Sequence, residues 1–279
     1  MIKKVLAGIV IIVVAGFFLM QWKHSTELEA YKAPNRQRIA LNEILSKEEW
    51  DNNDYRTVFY QTGLGRRAIE VIPEDEKKEK ILMAQQVFFM EPTVECSKNS
   101  IISWHEQNTN SVLPEIIGVE NGDILVSFCT HTYGWRNGHV GIVVDAAKGK
   151  TLEAIVMGED SCVQSIGKWR RYPSFIILRL KGVSLSEREE IAEYTLEHME
   201  GIPYGFVTDI FEHVIKGDFE IGDTDCSHLI WRSFKEHGYD LDSDGGIIVT
   251  PRDIAGSPLL EVVQVYGIDL ETIREKAEE

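Results

Sequence analysis

Four short apolar segments, followed by two amphipathic ones, constrain the fold of this chain most strongly. The apolar segments are rich in valine and isoleucine and cover residues 123–128, 139–145, 151–157 and 174–180. Segments of this length and composition are typical of β-strands, and the turn at 146–150 joins the second and third into a hairpin. Together they predict a small antiparallel sheet or barrel.

Helical periodicity begins after the last of these strands. Ser186 and Glu189 match a capping box, S-x-x-E, and open an amphipathic segment that ends at Gly201. A second amphipathic segment covers residues 225–238, with candidate N-cap residues at 223–225. We therefore predict an α+β fold in which the sheet comes first in sequence and packs on the helices that follow it.

The first 24 residues predict the location of the protein. A lysine pair precedes an apolar run at 5–20, and the run continued to Trp22 gives about 27 Å of helix, enough to cross a hydrocarbon core. Residues 21–30 show no A-x-A-like pattern of small residues, so we favour an uncleaved membrane anchor over a removed signal peptide. The lysines then stay in the cytoplasm, and the rest of the chain lies outside it. Cleavage would instead make the protein secreted.

The sequence divides into three parts. A membrane segment at 1–24 and a mostly helical extension at 25–117 precede the part with strands and helices at 118–279. The extension has apolar residues at helical spacing, for example within 36–50. It carries no motif to which chemistry can be assigned.

The acidic composition excludes one class of partner. The chain has 45 acidic and 29 basic side chains, a net charge of −16. Nucleic-acid binding needs a positive surface against the phosphates, and the sequence shows no zinc-finger or RNA-binding signature. We therefore predict no nucleic-acid partner.

One of the four cysteines has the position expected of a nucleophile. Cys226 falls at the start of the second predicted helix, where unpaired N–H groups favour a thiolate and can hold an oxyanion. The alternative is a small cysteine packed under the sheet. The four have no C-x-x-C spacing, and the sequence leaves the disulfide pairing of Cys96, Cys129 and Cys162 open.

A nucleophilic cysteine needs a base, and the base needs a group that orients it. His139 opens the second strand between Gly138 and Gly141, which leave space around its ring. Glu153 lies on the partner strand, directly across from His139 in one hairpin register and shifted from it in another. The alternatives are a solvent-facing histidine and a surface carboxylate.

Other candidate residues lie outside this set. His131 competes with His139 as the base, or lines the substrate cleft together with Trp135. The two histidines lack the spacing of a zinc site. Residues 240–245 match the start of a calcium loop, but Pro251 occupies the position of the bidentate glutamate. We therefore predict neither a metal nor a cofactor.

At this point the sequence resembles a known family, the YiiX/YebB-like cysteine hydrolases. These form the circularly permuted, NlpC-type branch of the papain-like fold. Five motifs match in order, at residues 122–125 (GDIL), 138–142 (GHVGI), 203–204 (PY), 225–231 (DCSHLIW) and 250–258 (TPRDIAGSP). The match covers residues 118–265, about half of the chain. The histidine precedes the cysteine here, as in the permuted branch and unlike ordinary papain-like enzymes.

The resemblance implies a role for each matching residue. Cys226 would be the nucleophile, His139 the base and Glu153 the polar third member, with Tyr204 contacting the substrate or the oxyanion. His228 departs from the family, which often has an acidic residue at that position. The resemblance implies a permuted papain-like fold without a cofactor.

These observations predict a thiol hydrolase that cleaves an amide bond in a peptide or an amino-acid amide, such as a cell-wall peptide. Two alternatives stay open. The same site could hydrolyse or transfer the acyl group of a lipid, or the chain could be a membrane-tethered binding protein without catalysis.

Overall fold

The computed structural model describes residues 31–98, 103–132, 135–215 and 220–270, together with five positions between 12 and 19. Its helices from residue 31 onward are α1 (Asn42–Leu45), α2 (Asn52–Thr62), α3 (Arg66–Glu70), α4 (Glu74–Phe88), α5 (Leu185–Met199), α6 (Val207–Ile215), α7 (Cys226–Lys235) and α8 (Pro251–Gly256). Its strands are β1 (Val94–Lys98), β2 (Ser103–Asn108), β3 (Ile124–Ser127), β4 (Thr130–Thr132), β5 (Trp135–Arg136), β6 (His139–Asp145), β7 (Lys150–Glu153), β8 (Cys162–Ser165), β9 (Phe175–Leu180) and β10 (Leu260–Tyr266). A 3-10 helix covers Ile166–Arg171.

A six-stranded antiparallel sheet forms the centre of the molecule, in the order β10-β9-β3-β6-β7-β8. Side chains alternate between its two faces. On one face Ile124 and Val140 pack in a core with Leu229 of α7. On the other face Leu125 and Val143 pack in a second core, which helices α2–α4 share. The predicted α+β class with an antiparallel sheet is confirmed.

The extension before residue 118 is less helical than predicted. It contains α1–α4, but β1 and β2 also lie in it. These two strands join β4 and β5 in a second sheet, in the order β1-β2-β4-β5. Both sides of the predicted boundary at 118 thus contribute to a shared sheet and a shared core, and the division into domains stays a prediction.

Two predicted boundaries were displaced, the start of the first helix after the sheet and the end of the third predicted strand. The N-cap of α5 is Ser184, whose hydroxyl accepts from the Glu187 backbone N–H at 3.2 Å, so the capping box at Ser186 and Glu189 was wrong by two residues. The third strand ends at Glu153 rather than at 157. The N-cap of α7 is Asp225, one of the three candidates.

The predicted membrane anchor at 1–24 lies almost wholly outside the described residues. Among the residues that are described, no helix has the length and hydrophobicity needed to span a bilayer.

Candidate active site

Cys226 is the first residue of α7 and lies against the start of β6. The Asp225 carboxylate caps the helix and accepts from the backbone N–H groups of Ser227 at 2.8 Å and His228 at 3.3 Å. The start of α7 packs against β6, and the backbone N–H of Val140 lies near enough to the Cys226 sulfur to lower its pKa. Because Val140 follows His139 in the chain, this contact brings the thiol to the strand that carries the predicted base.

The Cys226 thiol is protonated in this environment. Burial raises its pKa to about 12, and the negative charge of Asp225 contributes to the same shift. The sequence analysis expected the helix N-terminus to favour a thiolate, but burial outweighs the helix dipole here. A partner must remove the proton during any nucleophilic attack.

His139 and Glu153 form a buried pair. Their Nε2 and Oε2 atoms are 2.5 Å apart. Burial by itself would raise the pKa of Glu153, but the hydrogen bonds and charges of His139 and Lys168 lower it to about 2. Since an ionised carboxylate only accepts hydrogen bonds, Nε2 of His139 carries the proton in this pair. Nδ1 is then left as the acceptor in the neutral ring.

Three further side chains hold the Glu153 carboxylate. Thr151 Oγ1 donates to Oε1 at 2.6 Å, and Trp169 Nε1 donates to the same oxygen at 3.0 Å. Lys168 Nζ lies 2.7 Å from Oε2. The Trp169 ring stacks on the His139 imidazole, with centroids 5.4 Å apart and planes at 15°. The imidazole is thus fixed both at its edge and on its face.

The contact between His139 and Glu153 is diagonal across the hairpin. Ile142 pairs with Leu152, and a bulge follows between Val143 and Asp145. Gly141 is the residue before Ile142, on the side away from the bulge, and therefore lies opposite Glu153. A Cβ atom at Gly141 would come within 2.7 Å of Glu153 Cγ. The glycine leaves the space through which the glutamate side chain reaches the histidine.

Tyr204 lies close to Cys226. Burial raises its pKa, and the charges of Cys226 and Asp225 add to the shift. A parallel bridge between Tyr204 and Thr224 holds the tyrosine next to the start of α7.

Three other residues from the sequence analysis occupy different surroundings. His131 is buried on β4 and bonds Glu106 through Nε2 at 2.7 Å. Trp135 lies on β5 and is 66% exposed. His228 is fully buried and bonds Thr224 Oγ1 through Nδ1 at 2.9 Å. His228 therefore does not lie on the face of the helix that is open to substrate.

Within the described residues, one group of acidic side chains lies close enough together to bind a metal ion. Hydrogen bonds within turns and a helix cap explain its arrangement. Oxygens of Asp242, Asp244 and Asp253 lie within 4.8 Å of one another. Asp253 Oδ2 accepts from the backbone N–H and the hydroxyl of Thr250, which caps α8. Asp242 Oδ1 accepts from the N–H groups of Asp244 and Gly245. We assign no ion to this cluster.

The sequence analysis missed three side chains around Glu153. Thr151 could have been found, because it lies two residues before Glu153 and shares its face of the strand. Lys168 and Trp169 come from the 3-10 helix, which no periodic pattern announces. The four cysteines are all free thiols in the structure.

Similarity to known proteins covers about half of the chain. No protein-family model matches it. The uncharacterized protein YycO of Bacillus subtilis (strain 168) is 30% identical over 129 residues, which are 46% of this chain and 49% of YycO. The chain thus matches only about half the length of this curated relative. Among solved structures, the metalloprotein YiiX of Escherichia coli O157:H7 aligns with a TM-score of 0.41 and 16% identity, over 52% of this chain and 96% of YiiX.

Proposed function

We propose that this protein is a cysteine hydrolase that cleaves an amide bond, with Cys226 as nucleophile, His139 as base and Glu153 as the group that orients the base. The observation that carries the proposal is the buried pair of His139 and Glu153, because His139 precedes Val140, whose backbone N–H lies near the Cys226 sulfur. The order of these residues also fits the permuted papain-like family that the sequence resembles.

The resting site holds a thiol and an oriented imidazole. Glu153 keeps the proton on Nε2 of His139, so Nδ1 accepts the thiol proton as the Cys226 sulfur attacks the substrate carbonyl. The charge of Glu153 then stabilises the imidazolium that forms.

The carbonyl carbon gains a bond to sulfur, and its oxygen becomes an oxyanion. The backbone N–H of Cys226, in the first turn of α7, is a donor for that oxygen. Collapse of the intermediate expels the amine, which takes the proton from His139, and leaves a thioester. Water, deprotonated by His139, then cleaves the thioester to give the acid and the free thiol.

A peptide or an amino-acid amide is the substrate class that we propose. The predicted N-terminal anchor would place the site outside the cytoplasm, where cell-wall peptides occur. Neither a cofactor nor nucleic acid enters this scheme.

The test is hydrolysis of a panel of peptide amides and cell-wall peptides by the full chain. A Cys226→Ala variant should lose all turnover, whereas Cys96→Ala, which alters an exposed thiol on β1, should keep it. Turnover that persists in Cys226→Ala would exclude the mechanism. The protein could instead hydrolyse no peptide but release fatty acid from phospholipid vesicles in a reaction that needs Cys226. That result would support the second candidate function, a lipid acyl hydrolase or acyltransferase.

The second candidate has one structural observation in its favour. Helix α6 carries exposed apolar side chains close to the site, which would suit a substrate held in a lipid surface. The third alternative, a binding protein, predicts that the Cys226 thiol reacts no faster than an ordinary buried thiol.

A further inference from the structure

Helix α6 exposes an apolar face to solvent. Val207 is 57% exposed, Ile210 39%, Phe211 45% and Val214 59%. These positions are spaced three and four residues apart, so they form a single stripe along the helix. A helix of a soluble protein normally turns such a stripe toward the core.

The polar face of α6 points inward instead. Glu212 is buried, with Oε1 2.9 Å from Arg232 Nη1 and Oε2 3.4 Å from His228 Nε2. The backbone N–H of Thr208 donates to Asp223 Oδ1 at 2.7 Å. These polar contacts fix the orientation of the helix, so folding alone gives no reason for the exposed apolar stripe.

The helix lies next to the candidate active site. Asp209 is fully buried and lies close to Asp225, the residue before Cys226. Val249 is also close to Asp209, and Ile247, two residues earlier, is 69% exposed. The surface beside the nucleophile therefore carries apolar side chains from two segments.

The described chain begins at the same end of the sheet as the site. The Lys32 backbone N–H donates to Gly267 at 2.8 Å, directly after β10. The last pair of β10 and β9 joins Tyr266 to Phe175, and the last pair of β3 and β6 joins Ser127 to His139. Ser127 Oγ bonds the carbonyl of Ser174, the residue before Phe175, so both pairs lie at one end of the sheet.

The tether to the apolar N-terminal segment is short. Nine residues separate Trp22 from residue 32, and the ten residue steps between them span at most about 36 Å when fully extended. If the segment at 5–22 is embedded in a bilayer, residue 32 is held within that distance of the lipid surface, at the end of the sheet that carries His139.

We propose that the exposed face of α6 (Val207, Ile210, Phe211 and Val214) binds the surface of a lipid bilayer and holds the candidate active site near it. Apolar residues along one side of a helix give such interfacial binding, and patches of this kind mark membrane or protein contacts. The net charge of −16 disfavours anionic lipid, so zwitterionic lipid is the surface that fits. This binding does not depend on the proposed catalysis.

Photolabelling of the full chain tests this proposal. The protein is reconstituted in phosphatidylcholine vesicles that contain phosphatidylcholine with a diazirine on one acyl chain near the glycerol, at the depth of an interfacial helix. After irradiation, lipid adducts on the peptide that contains 207–214 are counted by mass spectrometry. We expect adducts there, and a loss of about five-fold in an Ile210→Ser/Val214→Ser variant. A Val71→Ser/Met83→Ser variant, which alters equally exposed positions on the extension, should label α6 like the wild type.

Two outcomes would overturn the proposal. One is labelling of α6 no higher than that of the exposed peptide containing 66–88. The other is a dimer joined through α6 when the same sample is treated with a bifunctional protein cross-linker, which would assign the face to a second copy of the chain. Thermal unfolding of the variants checks that the fold is kept. Labelling is repeated in Cys226→Ala, where α6 should bind lipid unchanged even if no hydrolysis is ever found.

Discussion

Glu153 lies opposite Gly141 in the hairpin of β6 and β7 and reaches His139, two residues further along the same face. His139 and Glu153 can meet because residue 141, which lies between them on this face of the sheet, has no side chain. The sheet therefore brings the two side chains together through a glycine rather than through direct opposition, and the glycine is part of the site.

Gly141→Ala should disrupt this arrangement. The new Cβ would lie 2.7 Å from Glu153 Cγ and 3.2 Å from Trp169 Cζ2. Such overpacking in a buried site typically destabilises by about 1–3 kcal/mol. We expect lower stability and loss of hydrolytic activity, measured by urea unfolding and by turnover. Gly167→Ala is the control, because its Cβ would meet only Ser165 Oγ, at 3.4 Å. Equal effects of the two substitutions would contradict this role of Gly141.

Glu153→Gln should reduce activity while the fold is kept. The amide has nearly the shape of the carboxylate but lacks the charge that stabilises protonated His139 and fixes its tautomer. We expect kcat/KM to fall by about 100-fold or more on the substrate that the wild type hydrolyses. The expectation fails if kcat/KM changes less than three-fold while Cys226→Ala is inactive.

The Glu153 carboxylate should make the free energy of unfolding depend on pH. The pKa of Glu153 is lowered from 4.5 to about 2, so its ionised form favours the folded state. This contribution is fully present above pH 4.5 and is lost as the pH falls toward 2, at about 3 kcal/mol in total. Thermal unfolding of wild type and Glu153→Gln between pH 2 and 6 measures it. The difference in Tm between them should shrink toward pH 2, and a constant difference would contradict the assignment.

The buried Asp209 should have the opposite effect on the pH dependence of stability from Glu153. Burial, with the charges of Glu212 and Asp242, raises its pKa from 3.8 to about 7. A raised pKa means that the folded state binds the proton more tightly, so stability declines as the pH rises from about 4 to about 7. Asp209→Asn should therefore stabilise the protein at pH 8 more than at pH 5. Denaturation at both pH values tests this, with the exposed Glu79→Gln as control. A variant that is less stable than wild type at pH 8 would contradict the prediction.

The sequence predicted the elements that carry the candidate residues better than it predicted the contacts between those residues. Alternation along two strands placed His139 and Glu153 in one hairpin, and the acidic cap before Cys226 indicated the start of a helix. The register could not be read from the sequence, because the bulge between Val143 and Asp145 shifts it. Periodicity describes one element at a time, so it could not reveal the side chains that the 3-10 helix adds from another part of the fold.

Three elements were not predicted from the sequence: strands β1 and β2, and helix α6. β1 and β2 (VECSK and SWHEQN) carry few apolar residues, and most of β1 is exposed, so neither shows the pattern of a buried strand. Helix α6 went unpredicted, although its apolar spacing is regular. Its apolar face points outward, so the helical pattern there reflects a surface rather than the core.

The central claim is that His139 activates Cys226, and the rate of Cys226 alkylation measures this most directly. The full chain is treated with iodoacetamide at pH 7.5, and Cys226 and the exposed Cys96 are followed separately by mass spectrometry in wild type and His139→Ala. The account predicts that Cys226 labelling slows by about ten-fold or more in the variant, because the proton acceptor is gone. Labelling of Cys96 should not change. An unchanged rate at Cys226, with the fold retained, would contradict the account.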